Sequence, residues 1–150
     1  MEKSFQRIGA KSNAHAGREF EDYVQSWFAN SGLLLERDFS LALGVTSITK
    51  LHRFDLGSEE HGVIVECKSH TWTAGDKVPS AKLTVWNEAM YYFSLAPKKY
   101  HKLFAVLKDD SVKRGMSLAE YYLKAYRHLI PSGVEIHEFD ILQNRVKIIE

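Results

Sequence analysis

The large apolar residues near the start of the chain fall at Phe20, Tyr23, Val24, Trp27 and Phe28. These are the three- and four-residue steps of one helical face, and they predict a helix from Asn13 or Ala14 to Asn30. Gly32 supplies its stop. The period then changes. Phe39 to Val45 places its larger apolar groups on alternate positions, as a strand with one buried face does. Leu51 to Leu56 is a second short extended run, closed by Gly57-Ser58. His61 to Lys68 contains Val63-Ile64-Val65, a continuous β-branched stretch suited to a central strand covered on both sides.

A loop with Gly75 and Pro79 follows, and Ser80 is positioned to cap a second helix. Leu83, Trp86, Met90 and Phe93 form the stripe of that helix, and Pro97 ends it. Leu103 to Leu107 reads as another buried strand. Ser117 and Glu120 have capping-box spacing, so a third helix starts there, with Leu118, Tyr121, Tyr122, Ala125 and Leu129 on one side and Pro131 beyond it. Val134 to Phe139 and Arg145 to Ile149 are the last strand candidates. The order α-β-β-β-α-β-α-β predicts a layered α/β domain around a mixed sheet. Its first three strands form a meander, and its later, helix-separated strands lie parallel. Residues 1–12, polar and lysine-bearing, read as a loose arm before a single domain at 13–150.

Composition changes this picture little. The 150 residues carry 20 basic and 19 acidic side chains, so whole-chain charge gives no argument for a polyanionic partner. Cys67 is the only cysteine, which excludes an intrachain disulfide and suits a reducing compartment. No apolar run approaches the ~20 residues of a membrane span, so the sequence predicts a cytoplasmic protein without membrane contact. The seven histidines show no HxxxH or Cys/His spacing, which argues against a zinc site.

The candidate chemistry lies in His52-Arg-Phe-Asp55 and Val63-Ile-Val-Glu66-Cys-Lys68. Strand alternation puts Glu66 and Lys68 on one face and Val63, Val65 and Cys67 on the other. A hairpin through Gly57 to Gly62 would bring Asp55 to the same end of the sheet. Two carboxylates supply the hard oxygen donors Mg²⁺ prefers, and a bound metal lowers the pKa of its water and neutralises phosphate charge. An adjacent lysine can orient that water or stabilise developing charge.

Asp55 followed by Glu66-Cys67-Lys68 at the end of an apolar strand resembles the signature of the PD-(D/E)xK nuclease superfamily. Gly17-Arg-Glu-Phe-Glu21 is similar to the helix with which that family presents a glutamate, Gly17 leaving Glu21 open to the site. Phe54 stands where the family pattern has proline. The resemblance implies a restriction-endonuclease-like αβββαβ core with a central mixed sheet flanked by helices. It also implies a Mg²⁺-dependent DNA endonuclease in which Mn²⁺ substitutes. In that reading Asp55, Glu66 and the Cys67 carbonyl bind the metal, Lys68 serves the attacking water, and Glu21 assists. His70 and Lys82 are weaker candidates for nucleic-acid contact, with Asn87 and Tyr91 behind them, and the loop Ser69 to Pro79 is a candidate for substrate choice. A symmetric duplex cut would need two sites and hence a homodimer. A Holliday-junction-resolvase-type or repair nuclease is the nearest alternative. A non-catalytic nucleic-acid-binding module on the same fold is the alternative of another class.

Overall fold

The computed structural model describes residues 13–150, with side chains from residue 15. The expected N-terminal arm lies outside the described residues. The elements are α1 (Asn13–Asn30), β1 (Glu36–Leu43), β2 (Lys50–Ser58), β3 (Val63–Lys68), α2 (Ser80–Leu95), β4 (His101–Leu107), β5 (Asp110–Ser111), β6 (Met116–Ser117), α3 (Leu118–Tyr126), β7 (Val134–Asp140) and β8 (Arg145–Ile148). Among the described residues, six strands form a mixed sheet in the order β1-β2-β3-β4-β7-β8. The β1-β2-β3 meander is antiparallel, β3, β4 and β7 run parallel, and β8 returns antiparallel to β7.

The expected helix stripe explains how α1 docks. Phe20 and Val24 have no exposed surface and pack with Val63, Val65, Cys67, Leu103, Ala105 and Leu107 on one face of the sheet. Full burial of each such side chain stabilises the fold by roughly 1.5–3 kcal/mol. Phe139 sits among the rings of Phe20, Tyr23, Trp27 and Phe28, mostly edge-on at 5.9–6.4 Å between centroids. The helix ends as expected: Gly32 has φ +93°, and the Leu33 amide donates back to the Phe28 carbonyl. Helices α2 and α3 cover the opposite face, where Ile64, Phe104 and Val106 meet Leu83, Trp86, Phe93, Leu118 and Tyr122. A helix layer on each side is what the unbroken Val63-Ile64-Val65 run requires.

Three local expectations are corrected. Ser80 does not cap α2; Pro79 occupies the cap position without a side-chain bond, and the Ser80 amide donates to the Val78 carbonyl. Lys108-Asp109-Asp110-Ser111, which in sequence reads most simply as a turn after β4, continues into a small hairpin in which Asp110-Ser111 pairs with Met116-Ser117. The strand bounds also shift: β1 begins at Glu36 and stops at Leu43, short of Val45, β2 runs through Gly57 to Ser58, and β3 starts at Val63 and not at His61. Gly57 is required for space, since a Cβ there would lie 2.5 Å from the Phe39 ring crossing over it. The Ser117–Glu120 capping box forms in full.

Candidate active site

The β2–β3 ladder holds for Ser58–Val63, Gly57–Ile64 and Leu56–Val65, and then stops. On its other side β2 loses one rung as well: Arg37 pairs Leu56 and Phe39 pairs Phe54, but Asp38, at φ +57°, leaves Asp55 without a registered partner. Asp55 therefore sits at a defect in both of its ladders, a place where strands re-aim side chains. The Cys67 amide, past the end of the ladder, needs another acceptor. Asp55 Oδ2 provides it at 2.8 Å.

One residue to either side of Cys67, Lys68 Nζ lies 3.2 Å from Glu66 Oε2, and these side chains are only 15 % and 14 % exposed. Glu66 Oε1 is buried with no hydrogen-bond partner. An orphaned carboxylate oxygen inside a protein is costly, and it marks a position where a ligand can bind. Glu21 reaches the same spot from α1: its carboxyl lies close enough to Asp55 for the two to affect each other's charge, and its Oε1 accepts from Arg37 Nη2 at 2.8 Å. Arg37 also pairs with Asp22 and keeps its Nε buried and unbonded.

The electrostatics follow from this crowding. Burial, then the negative charge of Glu66, push Asp55 up from 3.8 to about 6. Burial, then Asp55, raise Glu21; burial raises Glu66 against the pull of Lys68. Burial also raises the Cys67 thiol well above its ordinary value, and that side chain packs on the α1 side of the sheet, away from Glu66. Three acids that resist ionisation at one sheet edge have a use for added positive charge.

The four principal residues expected from the sequence thus come together from α1, β2 and β3. The expectation that Gly17 clears space for Glu21 is not needed, because a Cβ at Gly17 would meet nothing within 4 Å. His70 Nδ1 accepts the Trp86 indole N–H at 2.8 Å, which ties its ring to α2. Lys82 is exposed in the first turn of α2, Asn87 accepts from the Tyr122 hydroxyl, and Tyr91 is exposed. Two neighbours escape sequence reading. Arg37 lies in the charged run Glu36-Arg37-Asp38, and only the fold brings it to Glu21. His52, stacked on Tyr92 at 3.6 Å, is lowered chiefly by burial and to a lesser degree by Lys68.

As a donor set for a metal, the arrangement offers hard oxygens from Asp55 and Glu66, one of them buried and unpaired. Among the described residues, no three His, Cys, Asp or Glu side chains gather closely enough to hold one ion. Mg²⁺, which keeps several waters and takes one or two carboxylates, fits two such donors. Among the described residues no helix is long and apolar enough to cross a membrane.

No protein-family model matches this chain, and no curated protein matches it. Among solved structures, the chain is similar to one in the CdiA-CT/CdiI toxin and immunity complex from Burkholderia pseudomallei. The TM-score is 0.51 at 15 % identity, over 97 % of this chain and 93 % of that one. At that identity the likeness is one of fold, a mixed α/β sheet flanked by helices.

Proposed function

We propose that the chain is a Mg²⁺-dependent nuclease with a restriction-endonuclease-like core, hydrolysing phosphodiesters, most readily of DNA, at the edge formed by Asp55, Glu66 and Lys68. One observation carries this reading: Asp55, Glu66 and Lys68 lie together at the end of β3, with Glu21 of α1 beside Asp55, and Glu66 keeps a buried carboxylate oxygen that has no partner. The α1-β1-β2-β3-α2-β4 order agrees with the core that the sequence resemblance implies.

Asp55 and Glu66, with the Cys67 carbonyl, would hold the cation, which when bound supplies charge neutralisation and a more acidic water. The chain's own groups do the rest. The Cys67 amide donates to Asp55 Oδ2 and so holds the carboxylate in one orientation. Lys68 sits within 3.2 Å of Glu66 and can donate to an attacking water or a phosphate oxygen beside it. Glu21, held between Arg37 and Asp55, is placed to accept a proton at its carboxylate.

The test is nicking of supercoiled plasmid with Mg²⁺, Mn²⁺ or EDTA by the wild type, Glu66→Ala and Lys68→Ala. Metal-dependent nicking lost in both folded variants supports the assignment. No cleavage of plasmid, branched or single-stranded substrates, together with no calorimetric Mg²⁺ or Mn²⁺ binding, refutes it. The fold likeness to a chain of a toxin and immunity complex favours a second reading, in which the protein works as one member of a protein pair. That reading gains if metal binding is absent.

A further inference from the structure

The parallel register ties the site to a cleft elsewhere on the same edge of the sheet. Lys68 on β3 is level with Val106 on β4, Val106 with Glu138 on β7, and Glu138 with Lys147 on β8. Paired residues share a face, so these four form one row across the strands. At roughly 4.8 Å per strand, Lys147 lies about 14 Å from Lys68 along that row.

A cleft of about 320 Å³ opens there, lined by Lys108, Glu138, Asp140, Arg145, Val146 and Lys147. Arg145 and Lys147 are without an ion-pair partner among the described residues, and Lys108 is held only loosely, at 3.7 Å from Asp110 and 3.8 Å from Asp140. Glu138 is buried, and its Oε2 accepts the Ser117 hydroxyl. Lys108 is thus shared between Asp110 and Asp140, Glu138 is a carboxyl that burial disfavours as an anion, and Arg145 and Lys147 are the two cations of the cleft left without an acidic partner. Such a cleft suits phosphate oxygens: a guanidinium and two ammonium groups supply many donors, arranged around a cavity rather than spread over a flat face.

We propose that this cleft binds a backbone phosphate of the nucleic-acid strand whose scissile phosphate lies at Lys68. The proposal rests on the nuclease reading and extends it by a second contact on the substrate. Val106 and Glu138 are buried between the two ends, so a strand passes around them and about 14 Å is the shortest span; at about 3.4 Å per stacked nucleotide it corresponds to at least about four nucleotides. The cleft therefore sets a minimum substrate length, and it grips backbone without reading bases.

The test compares the wild type with Arg145→Glu/Lys147→Glu and with the milder Arg145→Gln/Lys147→Gln, both checked for unchanged thermal melting. Cleavage is measured on oligonucleotides that extend two or eight nucleotides from the cut on either side. Two-dimensional NMR with inorganic phosphate asks separately whether the cleft takes the free ion. The charge-reversed variant is expected to raise KM at least tenfold on the long substrate, with the loss falling on KM more than on kcat. Its disadvantage should shrink on the short substrate, and the salt dependence of binding should weaken. Equal KM for all three proteins on the long substrate, with the wild type cleaving normally, overturns the cleft assignment and leaves the nuclease reading intact. Phosphate shifts at 145–147 in a protein that neither binds nor cuts any nucleic acid overturn both, and make the cleft a site for the free ion.

Discussion

Replacing Asp55 by Asn should make the metal-free protein more stable while removing its activity. Asp55 is half-buried, and its loss of solvent lifts it from 3.8 in a free chain to about 6 in the fold. A carboxyl whose folded value is raised gives stability that is fully present below about 3.8 and is lost as pH climbs through about 6. The full difference is about 3 kcal/mol. Asn keeps an oxygen for the Cys67 amide and carries no charge, so the variant avoids that loss. For a chain of this size the gain at pH 8 amounts to a rise in Tm on the order of 5–10 °C. Thermal melts in EDTA at pH 4 and pH 8 measure it, with the variant gaining most at the higher pH. Adding Mg²⁺ at a hundred times its Kd should then return about 2.7 kcal/mol to the wild type and little to the variant. A variant that melts lower than the wild type at pH 8, or by the same margin at both pH values, would refute the account of Asp55 as a strained, charge-seeking group.

Two further outcomes follow from the same neighbourhood and from the cleft. Lys68→Met should destabilise the protein by about 2–4 kcal/mol at pH 8, because Glu66 is left buried without a counter-charge. Since burial already raises Glu66, the penalty should shrink as pH is lowered in urea titrations. Ser117→Ala should cost about 1–2 kcal/mol by chemical denaturation, since the hydroxyl both caps α3 and donates to Glu138. A loss under a few tenths would mean that neither bond matters.

Periodicity made the elements that bury a face readable. Phe20, Val24 and Trp27 announce α1, and Val63 to Val65 announce a strand with helices on both sides. The hairpin spacing and the alternation around Cys67 were enough to bring Asp55, Glu66 and Lys68 to one edge. What the sequence hid are features set by register. The positive φ of Asp38 and the broken rung at Asp55 leave no mark in composition. Arg37 looks like one more surface charge until β1 is laid beside β2. The β5–β6 hairpin was also hidden, because two-residue strands have no period to detect. Its role emerges only in contacts: Trp72 donates through its amide to Asp109 Oδ2 and through its indole to the Asp109 carbonyl, and Arg114 lies 4.9 Å over its ring. The segment Ser69 to Pro79, expected to be a substrate-reading loop, is thereby fastened to the end of β4.

The bond between Asp55 and the Cys67 amide also gives the protein a built-in voltmeter. That one backbone nitrogen faces the carboxylate directly, so its ¹⁵N resonance should move as Asp55 gains a proton or a cation. A titration followed at a single peak would report the charge of the site without any substrate, label or loss of a side chain.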